Sequence, residues 1–327
     1  MKSVDYFPAG RGALPGFLRA AMGAEALVRL KGVGMDCGCQ YTRLKRYENA
    51  APYDRFEHSV GVALIVWNFT RDPAQTMAGL LHDVATPAFA HTVDFMKGDY
   101  DAQEETEKGA EAIISRSNAL TALLKREGLS VSAVADSHQY PVADNPSPML
   151  SADRLEYTLG NLTRFGFWTL PRAEAAYRDI FLAPDSSELC FSSPEIAERF
   201  ARDALLCSRV YVSDGNRYAM QILSEILADA IRQGVLSEEA LWAEEARVIE
   251  RLRASEPLRA RWERFCALRA VRRADCQDAL SRRVSAKRRW MDPLVPGIGR
   301  VSEFSRDFAR ERDAFLAMPM DGFLTED

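Results

Sequence analysis

Three of the four histidines in this chain fall between residues 58 and 91, each with an acid nearby. The segments are Arg55-Phe56-Glu57-His58-Ser59, Gly79-Leu80-Leu81-His82-Asp83 and Phe89-Ala90-His91-Thr92-Val93-Asp94. Much later comes Ser151-Ala152-Asp153-Arg154-Leu155-Glu156-Tyr157. Imidazole nitrogen and carboxylate oxygen together suit a divalent transition metal. One such ion leaves positions open for water and phosphate, and two can share a bridging carboxylate. A lone histidine in an apolar helix is usually a satisfied core residue. Here, however, the His82-Asp83 pair ends the apolar run Met77 to Leu81. A buried aspartate there needs a partner, because an unpaired buried charge is costly, and a metal is one such partner.

The elements must then place these donors together. Neighbouring residues on a helix diverge by about 100 degrees. His82 and Asp83 can therefore meet one ion only at a helix terminus or between helices. His58 and Asp153 must come from two other helices, as in metal sites built in the core of a bundle. Helical periodicity is strong. Val60, Leu64, Val66 and Trp67 share a broad face, as do Met77, Leu80 and Leu81, and then Leu155, Leu159 and Leu162. Further helices are expected over 195–212, 216–232 and 238–253, the last capped by Ser237. Residues 180–182 and 189–191 read as a small β-hairpin across a Pro-Asp-Ser-Ser turn. Residues 136–149 carry three prolines and read as a loop, with His138 a loop residue in it.

The 327 residues, 47% of them apolar, can bury a sizeable core. We expect a core over 1–170 and a helical C-terminal region over 171–327 packed on it. With 27% charged residues and a net charge of -5, neither disorder nor a whole-protein affinity for nucleic acid follows. Arg11, Arg19 and Arg29 interrupt the early apolar residues, so neither a signal peptide nor a membrane span is expected, and the protein reads as cytoplasmic. The six cysteines are scattered. Cys37 and Cys39 lack a second pair nearby, so they read as packed thiols rather than a zinc knuckle. Arginines are dense from Arg259 to Arg289. They read as a solvated helix face that Pro293 and Pro296 break, or as an anion-binding surface for nucleotide, nucleic acid or a neighbouring subunit.

The run Asp54-Arg55-Phe56-Glu57-His58-Ser59, then His82-Asp83 with Phe89 and His91, then Asp153-Arg154-Leu155-Glu156-Tyr157, resembles the HD-domain phosphohydrolases, in particular their deoxynucleoside-triphosphate triphosphohydrolase branch. Lys287-Arg288-Arg289-Trp290-Met291-Asp292-Pro293 also resembles bacterial relatives. The resemblance is specific over about residues 40 to 165. It implies an all-α helical bundle with a metal site in its core. It implies His58, His82, Asp83 and Asp153 as ligands of a divalent transition metal (Mn, Fe, Zn, Co or Ni, with Mg a further candidate). Arg55 matches a residue that contacts substrate phosphates, and Tyr157 one near the sugar. His91 and Asp94 match a pair proposed to handle protons. Thr86 and Gln103 stand at substrate-facing positions where many relatives carry histidine, and Asn161 stands where an aspartate often follows the tyrosine. Dimerisation is plausible on the same grounds.

The expected chemistry is metal-assisted hydrolysis of a nucleotide phosphoester, with Arg55 neutralising phosphate and His91 as acid or base. A triphosphohydrolase would release tripolyphosphate. A phosphatase acting on a monophosphate or a cyclic nucleotide is told apart by orthophosphate as its product. A binding module would hold nucleotide without turnover.

Overall fold

Residues 14–101, 109–274 and 281–327 are described by a computed structural model of the chain, and helices dominate them. Two short helices, α1 (Gly16–Ala21) and α2 (Glu25–Val28), precede α3 (Arg55–Thr70), α4 (Pro73–Leu81) and α5 (Thr92–Met96). Then come α6 (Ala110–Arg116), α7 (Asn118–Arg126), α8 (Ala152–Arg164) and α9 (Leu170–Arg178). A hairpin of β1 (Ile180–Leu182) and β2 (Leu189–Phe191) leads to the long helices α10 (Pro194–Tyr211) and α11 (Asp214–Arg232), followed by α12 (Glu245–Ala254) and α13 (Glu256–Ala267). The remainder holds β3 (Val271–Ala274), β4 (Leu294–Val295), β5 (Gly299–Arg300), α14 (Val301–Phe304), α15 (Arg306–Leu316) and β6 (Phe323–Glu326). The fold is all-α, with three two-stranded antiparallel ribbons. β3 pairs with the C-terminal β6, Val271 opposite Glu326, and the expected hairpin is present with Ile180 opposite Phe191.

α3 is the central helix. Asp54 caps it, its side chain accepting from the Glu57 amide at 2.8 Å. Every residue from His58 to Val66 is buried, so the helix is enclosed all round rather than on one face. It packs against α4 on one side and α8 on the other. Asp72 caps α4 through the amides of Ala74 and Gln75, with Pro73 at its first position. Ser151 caps α8 in the same way, accepting from Arg154 N at 3.2 Å. α11 packs on α5 and α13, and α10 on α8 and α15. One connected core of buried apolar side chains runs from Leu18 to Leu324.

Two expectations are corrected. The single helix expected over 238–253 is a 3-10 turn, Glu238–Trp242, followed by extended chain and then α12. Ser237 does cap the turn. Tertiary contacts cause the break: Leu241 O accepts from Ala88 N at 2.7 Å, and Trp242 Nε1 donates to Ala85 O at 2.8 Å. The arginine-rich stretch is likewise not one helix face. Helix ends at Ala267, and the described residues 281–290 are non-helical. Arginines along the stretch are dispersed onto separate carboxylates: Arg261 on Asp229, Arg264 on Glu326, Arg273 on Asp214 and Arg282 on Glu225. Ion pairs between residues this far apart in sequence leave no periodic signature in it. Arg11, Gln103 and Cys276 lie outside the described residues. The described cysteines are all free thiols. No helix among the described residues is long and apolar enough to cross a membrane.

Candidate metal centre

His82 is the C-terminal cap residue of α4, so its side chain and that of Asp83 leave the helix as it ends. Nδ1 of His82 donates to Gly79 O at 2.7 Å, which turns Nε2 inward. Arg29 grips the turn that follows, donating to Val84 O at 3.0 Å and Thr86 O at 2.8 Å. Asp83 is buried. Its Oδ1 accepts from Arg55 Nη1 at 2.6 Å and from Thr86 Oγ1 at 2.8 Å. Burial opposes its charge, yet Arg55 and the two histidines hold its carboxyl well below the usual carboxylate range. Hydrogen bonds from the protein therefore reach only one of its oxygens. Oδ2 is buried and has no hydrogen-bond partner among the described residues.

His58 projects from the first turn and a half of α3 and is buried. Its Nδ1 meets Glu156 Oε2 at 2.5 Å, and Tyr53 donates its hydroxyl to the same oxygen. Its Nε2 stands 2.9 Å from Asp153 Oδ1 and 3.2 Å from His82 Nε2. Burial disfavours the charged imidazole, but Glu156 and Asp153 outweigh it and raise its pKa to about 10. Burial likewise raises the pKa of Asp153, but its bond to His58 prevails and holds it at about 2. Asp153 sits in the first turn of α8, and Tyr157 one turn later packs its ring 6.5 Å from that of His58.

Donor atoms of His58, His82 and Asp83 all lie within 4.8 Å of one another. His82 Nε2 is 3.5 Å from Asp83 Oδ2 and 3.6 Å from Asp153 Oδ1, and His58 Nε2 is 3.9 Å from Asp83 Oδ2. Ligands bonded to one ion at about 2.1 Å stand roughly 3 to 3.4 Å apart, so a small relaxation turns this cluster into a coordination sphere. The unpartnered Asp83 Oδ2 and the mixed nitrogen and oxygen donors fit a divalent transition metal. Glu156 behind His58 is the carboxylate that commonly orients a metal-binding imidazole.

His91 caps α5, and its Nδ1 donates to the buried Asp94 Oδ2 at 2.8 Å, as the spacing of three suggests. Burial, with Arg289 and Arg55 nearby and Asp94 opposing, lowers its pKa to about 4. The loop before it is strained: Phe89 and Ala90 have φ of 62° and 46°. Glu245, from α12, holds that loop. Its carboxylate accepts from Phe89 N at 3.3 Å, Gly34 N at 3.0 Å and Tyr41 Oη at 2.8 Å.

The structure thus gathers His58, His82, Asp83 and Asp153, with Arg55 and Thr86 bonded to Asp83 and Tyr157 against His58. His91 and Asp94 form a separate pair. Asn161 bonds Tyr211 and Arg164. His138 is exposed and pairs with Asp136 and Asp144. Sequence reasoning missed Arg29, Glu156, Glu245 and Arg289. Glu156 had a local signal, an acid three residues after Asp153 on a buried helix face, and Arg289 lay within the arginine-dense stretch without being singled out from it.

No family model matches the chain. It is 27% identical over 250 residues to the uncharacterized protein YdhJ of Bacillus subtilis (strain 168), covering 76% of this chain and 74% of that protein. It is 23% identical over 195 residues to the metal-dependent phosphohydrolase cns2 of Cordyceps militaris, covering 58% of this chain and 55% of that one. Its fold matches that of a phosphohydrolase from Bacteroides thetaiotaomicron VPI-5482, with a TM-score of 0.67, 14% identity and 96% of both chains covered. A hypothetical protein from Aquifex aeolicus has a TM-score of 0.62, also at 14% identity, covering 95% of this chain and 91% of its own. The structural likeness shows a shared fold.

Proposed function

We propose that this chain is a metal-dependent phosphohydrolase of the HD type that cleaves a nucleotide phosphoester, most specifically a (deoxy)nucleoside triphosphate to nucleoside and tripolyphosphate. The observation that carries the reading is the convergence of His58, His82 and Asp153 on the side of Asp83 whose buried Oδ2 lacks a partner. The metal-dependent phosphohydrolase among its relatives supports the class. The Arg55, His91 and Tyr157 matches support a nucleotide.

His58, His82, Asp83 and Asp153 would hold the ion, which supplies Lewis acidity toward a phosphoryl oxygen and acidifies a water. Arg55 anchors Asp83 with Nη1, and its buried Nε has no partner among the described residues. The face of its guanidinium turned from Asp83 is the one available to phosphate. His91 is neutral at physiological pH, its proton on Nδ1 and donated in a hydrogen bond to Asp94. Nε2 is therefore the atom that accepts a proton from attacking water, making His91 the base of this site.

Elemental analysis with a product-resolved nucleotide screen tests the proposal. We expect roughly one divalent transition metal per chain, or two if Asp83 bridges. Metal should be mostly lost in His58→Ala and Asp153→Ala. Tripolyphosphate from a triphosphate confirms the specific reading, and orthophosphate from a monophosphate moves it to a phosphatase. Tight nucleotide binding by fully metallated protein without turnover makes it a binding module. Full metal content in both variants would sink the ligand assignment.

A further inference from the structure

The segment 281–292 runs past the His91–Asp94 pair and is tied down on both sides. Ser147 Oγ donates to Trp290 O at 3.1 Å, Asp292 N to Pro148 O at 2.9 Å, and Arg288 Nη2 to Met318 O at 2.6 Å. Met291 is buried and receives the Thr158 hydroxyl. Arg289 is therefore delivered by a clamped strap rather than by a loose end. It is half-buried, and its Nη2 donates to His91 Nε2 at 3.2 Å.

The pairing is unusual in this chain. Arg55, Arg164, Arg261, Arg264, Arg273, Arg282 and Arg300 each bond a carboxylate. Arg289 has no carboxylate partner among the described residues. It bonds a neutral imidazole instead, and the same imidazole also feels Arg55. A half-enclosed guanidinium without a carboxylate partner, on an imidazole that a second guanidinium also influences, is suited to an anion.

We propose that Arg289 is a phosphate-binding residue carried into the site by the tail, and that substrate phosphate frees His91 Nε2 by drawing this guanidinium away. This rests on the functional reading above. Before substrate enters, the lone pair that must take the proton is occupied by Arg289. The guanidinium's bond to phosphate carries charge on both partners and can be bidentate, whereas its bond to the imidazole carries charge on one, so phosphate wins the exchange. Nε2 is then exposed only when a phosphoryl group is in place.

The test titrates inorganic phosphate into metal-loaded protein by calorimetry, with metal content and melting temperature as controls. Arg289→Ala and Arg289→Gln should weaken phosphate binding by about tenfold or more, the usual worth of one bond to a charged group. Arg289→Lys should restore part of it, as a point charge without the planar fork. The Gln variant keeps a donor for His91 but not the charge, so wild-type affinity in that variant overturns the proposal. Unchanged affinity in Arg289→Ala overturns it too, as does a wild type that binds no phosphate. Phosphate binding that depends on Arg289, with no nucleotide turned over by the wild type, leaves this inference standing and removes the functional reading instead. Normal turnover together with normal phosphate affinity in Arg289→Ala does the reverse.

Discussion

Each ring nitrogen of His58 has its own task. Nε2 faces Asp153 and His82, while Nδ1 is fixed by Glu156, which in turn holds the Tyr53 hydroxyl. Glu156→Gln keeps the shape but weakens the acceptor, so it should lower metal affinity by about 10- to 100-fold while the fold survives. Competition with a chelator of known affinity measures this, and an unchanged affinity would make Glu156 a packing residue. His91 invites a different test. His91→Ala should keep the metal and lose about two to four orders of magnitude in turnover, the worth of a positioned base. Asp94→Asn, which keeps shape and removes charge, should lose less. Wild-type turnover by His91→Ala would move the proton-transfer role elsewhere. These assignments were legible to different degrees. His82-Asp83 could be read from an acid ending an apolar run, and Arg55 and Asp153 from the motif resemblance. Arg29, which grips the metal-side turn, carries no local signal because its partners are backbone carbonyls 55 and 57 residues away.

The helices follow from capping and periodicity, which are local and therefore readable: Asp54, Asp72, Ser151 and Ser237 all cap as their types predict. What period could not show is why α3 needs a glycine in its interior. A Cβ at Gly61 would lie 2.5 Å from Glu156 Oε1 and 2.6 Å from its Cγ, so α3 and α8 can approach only with that position bare. Glu156 cannot swing aside without leaving His58 and Tyr53. Gly61→Ala should thus destabilise the protein by about 1–3 kcal/mol despite alanine's better helix propensity, an overpacking cost. Chemical denaturation measures this, and a stabilised variant would show that the helices can part. The break between Trp242 and α12, and the extended course after Ala267, were illegible for a shared reason. Contacts to Ala85, Ala88, Asp214 and Glu225, distant in sequence, decide them.

At the scale of the molecule, the two halves share the site, since Glu245 braces the loop before His91 and Arg289 reaches its ring. A fragment of residues 1–170 should therefore lack both a cooperative melt and stoichiometric metal. A fragment that melts cooperatively with metal bound would show that the first half builds the centre alone. Acid stability gives a second check. An imidazole held at a pKa of about 4 rather than the ordinary 6.5 takes up no proton in the folded state between those values, while the unfolded chain does. The contribution of His91 is then complete above pH 6.5 and declines as pH falls toward 4. His91→Gln should lose less stability than wild type between pH 7 and 5, and identical losses would mean that the ring is not held neutral. The reach of Arg289 also has a consequence for biosynthesis. It touches a ring 198 residues earlier in the chain. At a ribosomal pace of roughly 5–20 residues per second, about 10 to 40 seconds separate the emergence of the two. For the later part of that interval the nascent chain carries all four metal donors, Asp153 included, while His91 still lacks its Arg289 contact. The imidazole of His91 then has Asp94 for a partner well before Arg289 can reach its other nitrogen.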